Sequence, residues 1–442
     1  MNLLTDDIKK IYFKYLTTSF GSTLISTIYG IVDTALVGQY HGPVGPAALA
    51  VFAPFWNILY SFGLLAGIGG SVLFSTIRGE ADGTDEKSDQ YFSAAVILGC
   101  ILTAAAWAAI LFFHEPLLLF FGADETLLDL AKTYLMPVKF TVPFFVFGQL
   151  FSAFLRNDNR PGLATVSVLA GGVFNIFGDW FFIFALDMGI FGAGLATGIG
   201  AILSFLLMLT HFFSKKNTLR FVKPDFLFQK IKQIFVTGFS TCIVDLAMGV
   251  LTILLNRQIM RYLGSDALAV YGIIVNIGTF VQCCAYSIGQ AAQPIFSVNF
   301  GAGKGVRIRA CLKYALYTTA VFGLAWAGVS LAAPNMYVYI FMSPTQAVLN
   351  IAPTIIRTYS LSFLLLPFNV FSTYYFQALL KPRLSFFISI ARGFLISGIL
   401  IFLLPRTAGA MSIWFSMPIT ELLVACFAVS GIVKCTKTLS DK

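Results

Sequence analysis

Apolar stretches of about 20 residues recur from one end of the chain to the other, the length a helix needs to cross a bilayer. Nothing in the sequence constrains the fold more. Lipid offers the backbone no hydrogen-bond partners, so a spanning segment must be a helix or part of a closed barrel. Barrel strands alternate in character over roughly ten residues, whereas these runs are continuous. Of 442 residues, 58% are hydrophobic and 11% charged, and mean hydropathy is +0.83. A soluble domain carries about 25% charged residues, so too few are present here to cover a water-soluble surface. Twelve spans are expected, near residues 14–37, 47–75, 91–113, 134–155, 162–184, 190–214, 233–262, 268–297, 309–333, 353–379, 385–405 and 411–434. The opening "MNLLTDDIKKIYFKYL" reads as a leader into the first helix. The apolar segment after it is too long for a signal peptide, and no small-residue cleavage site follows.

Lys and Arg set the expected orientation, because cytosolic loops carry their excess. With the N-terminus inside, the cytosolic segments hold 22 of the 29 Lys and Arg. They are the leader, "IRGEADGTDEKSDQ", "LRNDNRPG", "SKKNTLRFVKPDFLFQKIKQ", "NFGAGKGVRIRACLK", "LLKPRL" and the tail "KCTKTLSDK". Both termini are then cytosolic. This topology accounts for the net charge of +9 without a nucleic-acid partner. The seven cysteines form no CxxC pair, and the three histidines form no HExxH or Cys/His cluster. A metal enzyme and a resident cofactor are therefore unsupported.

The halves repeat. "ALAVFAPFWNI" from Ala48 matches "ALAVYGIIVNI" from Ala267, and the same offset pairs Ala66 with Ala285 and Gly70 with Gly289. "RNDNRPG" stands where the second half has "LLKPRL". Six spans per copy is an even number, so both copies enter from one side as a parallel repeat. The expected fold is an all-α membrane protein with twelve transmembrane helices in two pseudo-symmetric six-helix lobes around a central cleft. Residues 1–220 form the first lobe and 221–442 the second, joined by the basic stretch at 215–232. Such repeats favour alternating access over a passive channel.

Ionisable groups inside spans are costly and mark ion or substrate paths. Asp33 is the only formal charge between Lys14 and Arg78, Asp179 is alone in span 5, and Asp245 is alone between Lys232 and Arg257. Asn175 and Asp179, four apart, share a helix face. With Asp33 on span 1 and the hydroxyl of Thr197 in "GAGLATGIG", they can hold a proton or a hard cation such as Na⁺. Gly192, Gly194, Gly198 and Gly200 around Thr197 permit close helix approach. The second half reads "RGFLISGILIF" in the region corresponding to Asp179 and has no acid there, so the cation site belongs to the first lobe. The second lobe has Arg392 and Glu421, at depths that suit a pair, structural or functional. It also has Asp245, which no obvious Arg pairs and which is the better candidate for attracting a cationic substrate. Gln290 and Gln293 share a face of span 8, to line a cavity or to bond between helices.

These residues resemble the multidrug and toxic compound extrusion (MATE) family, in its prokaryotic DinF-like or MepA-like branch. The resemblance is carried by "GIVDTALVGQYHGPVGPAALA", "LRNDNRPG", "NIFGDWFFIF", "GAGLATGIG" and "GQAAQPIFSVNFGAG", and it spans essentially the whole chain. It implies an antiporter in a bacterial plasma membrane, monomeric, exporting amphipathic organic compounds, cationic ones among them, in exchange for H⁺ or Na⁺. The family's helix-1 acid falls on Asp33, its helix-5 pair on Asn175 and Asp179, its helix-6 threonine on Thr197, and an acid of helix 7 on Asp245. Some members bend helix 1 at a proline; span 1 here has none, and only Gly30 lies near Asp33. A lipid-linked oligosaccharide flippase of the same superfamily is the alternative. Those proteins often have extra helices and a strongly basic cleft, whereas only Arg392 lies well inside a span here.

Overall fold

A computed structural model of the chain describes residues 2–42, 44–81, 85–121, 123, 125–341 and 345–439, without the side chains of residues 125, 126 and 245. The described residues form sixteen α-helices. In the first half they are α1 Ile8–His41, α2 Val44–Glu80, α3 Glu86–Phe120, α4 Glu125–Val138, α5 Val142–Asn157, α6 Pro161–Trp180 and α7 Gly189–Leu209. In the second they are α8 Leu227–Tyr262, α9 Ser265–Gly301, α10 Gly305–Ala332, α11 Pro334–Phe341, α12 Gln346–Ser360, α13 Leu366–Ala378, α14 Pro382–Ile390, α15 Ile396–Thr407 and α16 Ser416–Lys437. Among the described residues, eleven helical segments are long and apolar enough to cross a membrane, and a bent pair makes twelve. The protein is a multi-pass α-helical membrane protein.

That bent pair is α4 and α5, which turn by 59° where the sequence suggests one straight span near 134–155. Pro137 lies in the last turn of α4 and Pro143 in the first turn of α5. Each removes a backbone donor, so the ladder of helix hydrogen bonds fails between them.

The chain divides into two compact units. One is Thr17–Cys242; the other joins Leu3–Leu16 to Ile243–Lys442. In the first unit α2 is the most enclosed span and packs on α3 and α5, while α6 packs on α7. The hydroxyls of α1 bond back into their own helix: Thr23 to the Ser19 carbonyl at 3.1 Å, Ser26 to Ser22 at 3.0 Å and Thr27 to Thr23 at 3.1 Å. A polar stripe is thereby made compatible with lipid.

At the basic end of this unit lies a buried ion network. Arg78 on α2 reaches Asp89 on α3 and Asp158 after α5, both at 3.1 Å. His211 Nε2 lies 2.6 Å from the other Asp158 oxygen. Thr218 lies in the stretch leading to α8 and binds the same groups: its N–H donates to Asp158 at 3.2 Å and its carbonyl accepts from Arg78 at 2.8 Å. The Val222 N–H donates to Ser93 at 3.0 Å, so this stretch is held along the end of α3.

In the second unit α9 packs against α13 and α10. The start of the chain is tied to it. The Leu3 carbonyl accepts from Asn299 at 3.1 Å and from Arg307 at 3.0 Å, and Tyr12 stacks on Tyr314.

The two halves share a turn that the sequence shows only faintly. After α5, Asn159 adopts a left-handed conformation (φ 59°), the Arg160 N–H donates to the Leu155 carbonyl at 2.8 Å, and Pro161 starts α6. After α13, Leu380 is left-handed (φ 54°), the Lys381 N–H donates to the Phe376 carbonyl at 2.8 Å, and Pro382 starts α14. Both are Schellman closures, in which the left-handed residue lets the next N–H reach an orphan carbonyl. Asn tolerates that conformation readily; Leu does not.

Candidate functional site

The first unit brings its sequence-singled residues together. Thr165 on α6 donates to the carbonyl of Thr18 on α1 at 2.8 Å. From that level Asp33 lies 15 residues along α1 and Asp179 14 along α6. At about 1.5 Å per residue the two carboxylates arrive at the same depth. They are close enough to interact electrostatically. Asp33 is 8% exposed and Asp179 fully enclosed. Among the described residues neither forms a salt bridge with a Lys or Arg.

Amide and hydroxyl groups complete the cluster. Asn175 Nδ2 donates to Thr197 Oγ1 at 3.1 Å and lies 3.4 Å from Asp179 Oδ1. α6 and α7 can come this close because Gly171 and Gly200 face each other; a Cβ on Gly200 would sit 2.7 Å from the Gly171 carbonyl. Three buried oxygens have no hydrogen-bond partner: Asp33 Oδ1, Asn175 Oδ1 and Asp179 Oδ2. Carboxylate and amide oxygens with free lone pairs are what a proton or a hard cation binds.

Two features of this site are invisible in the sequence. Tyr134 on α4 is buried and lies beside Thr197 and Trp56. A single tyrosine in "AKTYLMPV" gives no signal of such a place. Immediately after Asp179, α6 passes into a π-helical stretch, Phe181–Ala185, where the Leu186 N–H reaches back five residues to Phe181 at 3.0 Å. Such turns occur often at functional positions in helices.

The second unit pairs Arg392 with Glu421. Arg392 Nε donates to Glu421 Oε1 at 2.7 Å, with both residues buried. Arg392 also lies in a π-helical stretch, Ala391–Leu395 between α14 and α15. A third member was not evident from sequence: Asn369 Nδ2 donates to Glu421 Oε2 at 2.6 Å and to its carbonyl at 2.8 Å. Here the carboxylate already has a cationic partner. Gln290 and Gln293 are buried on α9; Gln293 donates to Ser297 at 3.3 Å, and the Gln290 side-chain oxygen has no partner. The side chain of Asp245 on α8 lies outside the described residues.

A cavity of about 60 Å³ adjoins the first-unit cluster. Asn175 and Thr197 form one end of its lining, and Ser26, Tyr29, Gln149 and Ser204 line the rest.

An all-helical fold of apolar spans, with two carboxylates buried in one unit, defines a multi-pass membrane protein. The MatE family model matches the chain twice, over residues 19–181 and 237–403, so the chain belongs to the MatE family. The Multidrug export protein MepA of Staphylococcus saprophyticus is 26% identical over 413 residues, covering 92% of this chain and 89% of that one. MepA of Staphylococcus aureus is 25% identical with the same coverage. Among solved structures, an outward-facing multidrug resistance MATE family transporter of the MOP superfamily superposes with a TM-score of 0.89 at 21% identity, over 100% of this chain and 98% of that one. A MOP superfamily transporter from Pyrococcus furiosus gives 0.89 at 20% identity, over 99% and 98%. The fold is that of these transporters.

Proposed function

We propose that this chain is a secondary active efflux antiporter that exports amphipathic, cationic organic compounds in exchange for H⁺ or Na⁺ by alternating access. The observation that carries this reading is the buried Asp33 and Asp179 pair, with three unpartnered oxygens around it and, among the described residues, no salt bridge to either carboxylate. Two buried charges of one sign cost several kcal/mol unless something neutralises them. A proton or Na⁺ held by Asp33, Asn175, Asp179 and Thr197 does so. Cation binding and substrate binding then favour opposite-facing states, and their exchange drives export. The two MepA relatives, named as multidrug export proteins, support an export role. Both are staphylococcal, which together with the Lys and Arg distribution supports a bacterial plasma membrane with both termini cytosolic. We further assign Asp245 to attracting the positive charge of the substrate, with Gln290, Gln293, Arg392 and Glu421 as the second lobe's polar set.

The test is transport by purified protein in proteoliposomes, with a Na⁺ or a pH gradient imposed in turn. Efflux that follows one gradient identifies the coupling ion; efflux that ignores both removes the antiport reading and favours a flippase. Asp245→Asn is expected to weaken binding of cationic dyes more than neutral ones, and equal losses would remove Asp245 from the substrate site.

A further inference from the structure

We infer that the cavity beside Asn175 and Thr197 is the hydrated route by which the coupling cation leaves the Asp33 and Asp179 site toward the cytosolic face, and that its polar lining carries the ion. This rests on the antiport reading above and gives that site an exit.

The position of the cavity supports the direction. α6 begins at Pro161, just after Arg156 in the last turn of α5 and Arg160 in the loop between them. At about 1.5 Å per residue, Asp179 lies roughly 27 Å along α6 from that end, Asn175 roughly 21 Å and Val168 roughly 10 Å. Val168 and Asn175 line the cavity, as do Ser204 and Met208 near the end of α7. The lining therefore extends from the level of Asn175 and Thr197 toward the basic loops as far as Val168 and Met208.

Its size and chemistry fit an ion with water. A water needs about 10–15 Å³ of such volume, so about 60 Å³ holds a short file of them. An organic substrate needs a pocket of roughly 300 Å³ or more. Ser26 donates its proton to the Ser22 carbonyl at 3.0 Å, and Ser204 to the Ser167 carbonyl at 2.9 Å. Their oxygens are left as acceptors for a cation or its waters. The unpartnered Asn175 Oδ1 belongs to the same lining residue that bonds Thr197, so the route begins at the cation site itself.

Gly148 on α5 provides the test. It lines the cavity, and a Cβ there would meet no atom within 4 Å, so a larger side chain enters empty space. In proteoliposomes of the full-length chain, Gly148→Leu should slow substrate-driven cation arrival on the cytosolic side by about tenfold or more. Gly148→Ala should behave as the unaltered chain, and substrate affinity should hold in both variants. Wild-type cation flux through folded Gly148→Leu overturns the route. In case that variant does not fold, Gly148→Cys is labelled with a small charged methanethiosulfonate applied to one face at a time, over the blank set by the native cysteines. Labelling from the cytosolic face alone supports the route; labelling from the opposite face, or from neither, overturns it. Asp179→Asn is run in parallel. If it loses coupling while Gly148→Leu keeps full flux, only the route fails; if Asp179→Asn keeps coupling, the cation-site reading fails.

Discussion

The hydroxyl of Thr165 donates to the carbonyl of Thr18 at 2.8 Å, joining α1 and α6 at a level from which Asp33 and Asp179 lie at about the same depth. The register has support along the same interface: a Cβ on Gly172 would lie 2.7 Å from Ile25 and 3.2 Å from the Tyr29 ring. Near the basic end, Arg156 on α5 also reaches Ser22 on α1 at 3.2 Å. α1 is therefore positioned by polar contacts near its inner half, at Thr18 and Ser22, while its acid stands about three to four turns further out.

The paired acids give the first prediction. Asp33→Asn and Asp179→Asn each remove one negative charge while keeping the side-chain shape. Gradient-driven efflux should fall by about tenfold or more in each. Thermal stability should hold or rise, because the change relieves repulsion between buried like charges. Efflux assays paired with thermal unfolding in detergent check both parts; full gradient-driven efflux in both variants would remove the pair from coupling.

Arg392 and Glu421 behave in the opposite sense, because each neutralises the other. Arg392→Met leaves Glu421 with only the Asn369 amide, and a buried charge stripped of its partner costs about 3–5 kcal/mol. The double change Arg392→Met with Glu421→Gln should recover most of that loss. Unfolding measurements on the two single variants and the double variant give the coupling. Additive losses would mean the pair contributes little.

The α6–α7 contact has no room for a methyl group at Gly171. An added Cβ would overlap Ser204 Oγ and the Gly200 carbonyl, and backbone cannot yield as a side chain does. Gly171→Ala should destabilise by about 1–3 kcal/mol. The same change at Gly148 should be close to neutral, since nothing lies within 4 Å of that Cβ. Unfolding temperatures of the two variants, measured side by side, decide it.

The Arg78 network holds the stretch between α7 and α8 to the first unit. Arg78→Met leaves Asp89 and Asp158 without their guanidinium and frees the Thr218 carbonyl. Trypsin should then cut faster at Lys215, Lys216 or Arg220, by about tenfold if opening becomes easier by about 1.4 kcal/mol. An unchanged cleavage rate in the variant would show that the stretch is held by other contacts.

Much of this protein was legible without coordinates. The spans follow from local composition, because a bilayer selects helices by apolar length alone. The Asp33, Asn175, Asp179 and Thr197 set stood out because a polar group in a long apolar run has few reasons to be there. The Arg392 and Glu421 pairing could be read from depth, since rise per residue is constant along a helix. Tertiary structure alone decided the rest. The Thr18 and Thr165 bond, Tyr134 at Thr197, Asn369 at Glu421 and the attachment of Thr218 to Arg78 each join residues far apart in sequence. The π-helical stretches after Asp179 and around Arg392 shift the phase of their helices, which no hydrophobic pattern records. Composition determines which segments enter the membrane; the contacts between them determine which oxygens are left without a partner, and it is those oxygens that can hold an ion.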